Sequence, residues 1–332
     1  IESVSGSASA RFMRIAVINY DMPFLVDSMA GAVAAHGIAI DRLVHPVLAV
    51  RRDADGALRD IVTGEAAGER RESVVYLETR RGDARLRRAL ESALRSTLAD
   101  VKVAVADWPR MQAAMAADAD TLADSEGAAL LRWFQGGALT QLGHVTRRRD
   151  GSQEEALGIC KRSAKTLLGA ISWERAFAWF DKNRKGARPP LVVKSNTVSQ
   201  VHRRVPLDLF ITPVFEQGKL AALSVHAGLW TSAALGASPS QLPPLRSQLS
   251  ELMTRFGFSA QGHAGKALVH ALTALPHDLL IGCADDDLER IARANVTLRP
   301  LDPAFVLEPT GRAPRAAAVP VSAHLGQRRE RS

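Results

Sequence analysis

Cysteine is scarce here. Cys160 and Cys283 stand far apart with no C-x-x-C between them, so no structural disulfide is expected and both read as buried thiols. Long apolar runs are missing too. No stretch of eighteen such residues occurs, and the first residues lack the basic-then-apolar layout of a signal peptide. We therefore expect a cytoplasmic chain with no membrane partner. Phosphate-cradling glycines are also absent: no G-x-G-x-x-G and no G-x-x-x-x-G-K-[ST] occurs, and GGALTQLG spaces its glycines wrongly. No cofactor is expected on this chain. Aromatics are thin at 5%: ESVVYLETR offers only Tyr76 and VKVAV none, too few to stack bases, so nucleic acid is not an expected partner.

What is present suits a globular protein of two or so domains: 332 residues, 46% hydrophobic and 23% charged. The net charge of +8 is uneven, since Thr310 to Ser332 alone holds five arginines against one glutamate. That tail, rich in alanine, proline and arginine, loses all periodicity and is expected to be disordered. Residues 1–10 are read as a disordered lead, and both chain ends as arbitrary cuts.

Between these ends the pattern predicts an α+β protein. MRIAVINY reads as a strand. Pro23 starts a helix carrying Leu25, Val26, Met29 and Val33, and Gly37 ends it. GIAIDRLVHPVLAVRRD is extended, with Pro46 marking an edge or a bulge, and Asp55-Gly56 turns the chain. ESVVYLETR is a further strand; Asp83 caps a helix with Leu86, Leu90, Leu94 and Leu98; VKVAV alternates as a last strand. The order β-α-β-β-α-β is that of a ferredoxin-like domain, placed at 11–108. A helical linker (109–137) leads to a mixed α+β module (138–235) with hairpins at Asp150-Gly151 and Gln217-Gly218, a strand in PPLVVK and a helix near Trp173 to Phe180. Helices follow in LRSQLSELMTRF, GKALVHALTAL and DDDLERIARAN, forming a helical segment over 236–298.

No catalytic pairing stands out. Asp21 and Asp27 sit where acids cap helices or meet their dipoles, and His45 beside Pro46 reads as packing. His263, His270 and His277 recur every seven, two turns apart, too far for one ion to bridge; Pro276 interrupts besides, so no metal site is expected. The sequon Asn295-Val296-Thr297 carries no weight without an export signal.

A run of short motifs keeps one order: DMPFLVDS at 21–28, HPVLAVRRDADG, LGHV at 142–145, KSNTVSQVHRRVPLDLF at 194–210, GLWTSAA at 228–234, PPLRSQ at 243–248, GHAGKAL at 262–268 and LPHDLL at 275–280. Together, over roughly residues 12 to 309, they resemble the N-terminal region of the large bacterial NAD-specific glutamate dehydrogenases. The resemblance implies an ACT-type domain first, a PAS-type domain next, then a helical segment. The start of a further ACT-type domain would follow in 299–332, cut short as by a frame change. It implies a regulatory and assembly segment without catalytic residues, NAD being the cofactor of the whole enzyme, with self-association or the enzyme's remaining domains as partners. Asp21, Pro23, Phe24 and Asp27 would form a structural junction. Lys194, Asn196, His202, Arg203 and Asp208 would hold an amino-acid effector or pin one module to another.

This sequence departs from the family pattern in places. Phe24 stands where ACT domains that hold amino acids have glycine, Val198 where arginine is expected, LSVHA replaces a Gly-Glu-Arg-Arg-Phe run, and Pro276-His277-Asp278 replaces Pro-Arg-Asp. The competing expectation is a free-standing ACT/PAS-type sensor of a small molecule, with a closed pocket between its modules.

Overall fold

The computed structural model describes residues 2–5, 11–62, 70–122, 125–183, 190–273, 275–281, 283 and 285–296. The expected ACT-type start and tail over 299–332 lie outside them. The first sheet comprises β1 (Glu2–Ser5), β2 (Arg11–Tyr20), β3 (Ile40–Val44), β4 (Val47–Arg52), β5 (Leu58–Val62) and β6 (Arg70–Arg80), with α1 (Leu25–Ala34) between β2 and β3. All its pairings are antiparallel, in the order β1-β2-β6-β4-β5. β3 also pairs with β6, beyond the end of β4. β3 and β4 are thus two halves of one extended run broken at His45-Pro46, the irregularity that a proline without a ladder donor forces.

Alternation sets which face is buried. Met13 and Ile15 on β2 and Val75 and Leu77 on β6 pack against Met29 and Val33 of α1 and Leu90 and Leu94 of α2 (Ala84–Thr121). Register places Ile18, Tyr20, Val44, Leu58 and Ile61 on the opposite face, where each is about half exposed.

Three expectations fail here. VKVAV is not a strand: residues 101–105 lie inside α2, which runs 38 residues without a break. Its buried positions, Leu90, Leu94, Thr97, Val101, Ala104, Asp107 and Met111, recur at three and four, so the wider helical stripe overrides the local preference of three valines. The edge beside β2 is taken instead by β1, so residues 2–5 are a strand rather than part of a disordered lead. Nor does a boundary fall at 108/109; α2 passes through Pro109. Asp83 does cap it, accepting from Leu86 N at 2.7 Å.

After α3 (Ser125–Trp133) and a π-helical turn at Phe134–Ala138, a second sheet forms from β7 (Leu139–Arg148), β8 (Gln153–Gly158), β9 (Leu191–Val198), β10 (Pro206–Glu216) and β11 (Lys219–Trp230). It is antiparallel in the order β8-β7-β11-β10-β9, with α4 (Cys160–Leu167) and α5 (Ala170–Lys182) inserted between β8 and β9. Both expected hairpin turns are where the sequence places them, and Gly151 and Gly218 adopt the positive φ those turns need. β11 is buried almost throughout, as befits a strand covered on both faces.

One face is aliphatic, with Val145, Leu209, Ile211 and Val225 packed against Trp173 and Phe177 of α5. The other carries His144, Thr212, Ser224 and His226 toward α2, and Phe210 and Trp230 toward the helical segment. That segment comprises α6 (Ser232–Leu235), α7 (Leu245–Phe256), α8 (His263–Thr273), α9 (His277–Ile281) and α10 (Asp285–Val296). Among the described residues no helix is long and apolar enough to cross a membrane. Cys160 is buried, its thiol pushed up to about 12, and Cys283 is half-buried.

Candidate functional site: two seams and a buried network

The stretch Asp21 to Ser28 joins β2 to α1, but not as the sequence suggests. Asp21 does not cap the helix. Its Oδ1 accepts from Ser73 Oγ at 2.6 Å and its N–H donates to Arg71 O at 3.0 Å, fastening the loop to β6. Pro23 lies in the turn ahead of α1, and the N-cap position falls to Phe24, with φ 69° and no side-chain cap. The position that is glycine in ACT domains that hold amino acids therefore does have the left-handed backbone that glycine tolerates; here phenylalanine occupies it at a cost of about 1–2 kcal/mol.

What Phe24 faces explains its retention. Its ring lies 5.2 Å from the imidazole of His202, itself held at φ 63°. His202 Nδ1 is 3.0 Å from Asp27 Oδ2, and His202 N donates to Ser28 Oγ at 2.8 Å. Beside this contact Thr97 on α2 reaches Gln200, and Gly31 on α1 gives the Arg204 stem room to approach. Leu25, with Met22 and Phe24 against it, belongs to the core of the second sheet. Phe24 and Asp27 of the junction and His202, expected as separate sites, meet in one seam between the two modules, while Asp21 stays within the first.

The other expected residues lie elsewhere. Lys194 on β9 pairs with Asp208 on β10 and, at 2.9 Å, with Asp278 on α9. Burial, against the pull of Lys194, raises the Asp208 carboxyl to about 6, and the nearby charge of Asp278 adds to the rise. Burial alone would lower Lys194, but its two carboxylate partners outweigh it and hold the ammonium above its ordinary range. Arg203 donates to the carbonyl of Trp230, and His277 Nδ1 lies 3.1 Å from Ala234 O. Asn196 is exposed. The five residues therefore do not line one cavity: His202 serves the first seam, while Lys194, Asp208 and Arg203 serve a second, between the second sheet and the chain that leads into the helical segment. Motifs scattered through the sequence meet there.

Sequence reasoning missed a third arrangement. Asp118 on α2 accepts through Oδ2 from Thr212 Oγ1 at 3.0 Å, from His226 Nε2 at 2.7 Å and from Ser224 Oγ. Gln112 donates to Gln141, and Gln141 Nε2 lies 3.0 Å from His226 Nδ1, a donor chain that fits an imidazole protonated on Nε2. His144 pairs in register with His226 and stacks on it at 4.7 Å. Burial, reinforced by the neighbouring imidazole, depresses His144 to about 3. Burial would raise Asp118, but the bonds from His226 and Ser224 overcome it and keep the carboxyl below its usual range. Aspartate, histidine and serine are assembled here without being a nucleophile triad. Both donors point at the same carboxylate oxygen, so no base is placed to take the serine proton. The network ties α2 to the sheet.

These elements match known proteins. Residues 5–94 match the glutamate dehydrogenase ACT1 domain, and residues 242–299 match the glutamate dehydrogenase helical motif 1. The chain is 30% identical over 314 residues to an NAD-specific glutamate dehydrogenase of Pseudomonas aeruginosa, covering 86% of this chain and 19% of that protein. It is 27% identical over 311 residues to the NAD-specific glutamate dehydrogenase of Halomonas elongata, with the same coverage. The chain therefore spans about a fifth of the length of these curated relatives. It is a relative of the N-terminal region of the NAD-specific glutamate dehydrogenases, carrying their ACT1 domain and their helical motif 1.

Proposed function

We propose that this chain is a regulatory and assembly segment of an NAD-dependent glutamate dehydrogenase. The whole enzyme would oxidatively deaminate glutamate to 2-oxoglutarate and ammonium with NAD, in the cytoplasm. The segment by itself would not, because the nicotinamide fold and the substrate site would belong to the rest of that enzyme. In this reading the second module is PAS-like, a mixed unit with hairpins at each end of its sheet and two helices between.

The observation that carries the assembly role is the uncovered face of the first sheet. Ile18, Tyr20, Val44, Leu58 and Ile61 are exposed together there, on the side of the sheet opposite the one that packs on α1 and α2. Scattered exposed apolar residues are ordinary; a row of them across one sheet face is what a subunit or domain contact needs. The two seams support the same reading, since the residues that carry the resemblance hold modules together. His202 meets Asp27 and Phe24, and the Lys194–Asp208–Asp278 cluster closes the second seam.

Sedimentation velocity of the purified chain over a hundredfold range of concentration tests the proposal. We expect concentration-dependent self-association that Ile18→Lys with Val44→Lys abolishes without lowering the melting temperature, and no glutamate-dependent NAD reduction. A chain that stays monomeric throughout and binds none of the remaining domains of a relative, or one that reduces NAD with glutamate, would overturn it.

A further inference from the structure

The run Arg147-Arg148-Arg149 reads from sequence as a solvated basic turn, but its three members are treated differently. Arg148 is clamped between Glu154 and Glu216, and Arg149 pairs with Asp181 at 3.0 Å while lying over the Phe177 ring. Arg147 has no carboxylate partner among the described residues. Its guanidinium sits 5.3 Å above the ring of Trp173, at the mouth of a cleft of about 260 Å³ on the aliphatic face of the second sheet.

The cationic and donor groups of that cleft favour negative charge. Trp173, which lines it, is only 4% exposed, and its indole Nε1–H finds no acceptor among the described residues. An unmade hydrogen bond at a buried donor is costly, and native proteins rarely leave one unmade. Ala170, also in the lining, is the first residue of the thirteen-residue α5, whose N-cap Gly169 supplies no side-chain cap; the positive end of that helix therefore borders the space. Gln153, the cross-strand partner of Arg147, adds an amide at the rim. Among the described residues no aspartate or glutamate lines the cleft, and the rest of its lining is Gly151 with the apolar Val145 and Leu168. An arginine stacked on an aromatic face keeps its planar edge free for two-point pairing with a carboxylate.

We propose that this cleft is a binding site for a small organic acid, its carboxylate on the Arg147 guanidinium and the Trp173 indole N–H, its apolar body against Val145 and Leu168. A dinucleotide is excluded by volume. A cationic ligand would meet a guanidinium, a helix N-terminus and an indole donor. The site is independent of the assembly reading, since it lies on the other module from the open sheet face.

Titration of the whole chain with benzoate, hexanoate and inorganic phosphate tests this, by calorimetry for affinity and by the indole N–H resonances for location. Benzoate or hexanoate should bind saturably and move one indole resonance, identified by its absence from Trp173→Phe. Arg147→Gln should weaken binding by about tenfold or more with an unchanged melting temperature, and Trp173→Phe by about threefold, with the lower melting temperature that shortening a core side chain brings. The proposal fails if neither acid binds saturably, or if Arg147→Gln binds as the parent chain does. It fails equally if phosphate binds as well as the acids, for the cleft would then have no preference for an organic body.

Discussion

Phe24 shows what one residue can trade. Its backbone is held in the region that suits glycine, while its ring packs on His202 and against the core of the second sheet. Substituting alanine removes the ring and keeps the strain; substituting glycine removes both. Phe24→Ala should cost about 2 kcal/mol for a half-buried aromatic, and Phe24→Gly should be the more stable of the two by about 1 kcal/mol, reversing their usual order. Urea midpoints of the two variants check this, and a glycine variant equal to or weaker than the alanine one would show that the strain is not real. At this scale the sequence was informative about which residues matter and poor on what they touch. Asp27 and His202 were both visible as motif residues, but their meeting depends on a fold that brings together positions 175 apart in the chain. Asp118 gave no signal at all. An aspartate in an alanine-rich helix looks solvated until the helix is laid on His226.

The elements were more legible than the contacts. Turn chemistry placed both hairpins, because Asp150-Gly151 and Gln217-Gly218 admit few other backbone paths. Asp83 fixed the start of α2. Its far end was lost because VKVAV satisfies period two locally, whereas the stripe from Leu90 through Met111 to Ala119 satisfies the helical period over thirty residues; only the longer window separates them. Amide hydrogen exchange should therefore protect residues 101–107 as one block with 90–100. Pro109 sits inside this helix without breaking it, so Pro109→Ala should restore a backbone hydrogen bond and raise stability by between about 1 and 3 kcal/mol. Exchange that was fast at 101–107 and slow on both sides would refute the continuous helix.

For the whole molecule, two buried groups set opposing responses to acid. His144 is held neutral, titrating at about 3 in the fold against an ordinary value near 6.5. The stability this gives is complete above pH 6.5 and is lost as pH falls toward 3, by about 1.4 kcal/mol per pH unit. Asp208 behaves in reverse. With its folded value raised to about 6, the native state binds a proton that the unfolded chain does not, so this contribution is complete below the unfolded carboxyl value and is lost as pH rises through 6. Between about pH 4 and 6 the two slopes offset one another. His144→Phe should therefore become more stable on acidification through that range, while Asp208→Asn should lose stability more steeply than the parent. Denaturant titrations at pH 7, 5.5 and 4.5 read both, and parallel profiles for all three proteins would show that neither group governs the response.

The shared helix has a bearing on inheritance as well as on folding. The match to the ACT1 domain ends at residue 94, yet α2 continues to Thr121 and is about 57 Å long, its first turns in the core of the first sheet, its middle in that of the second sheet and its last turns in that of the helical segment. A crossover placed at that border would give each recombinant half a helix whose buried stripe has no counterpart. The stretch that is recognisable as a domain and the stretch that can be exchanged as a cassette are therefore different lengths of chain. A viable chimera would have to carry the helix whole, together with the loop that presents His202 to it.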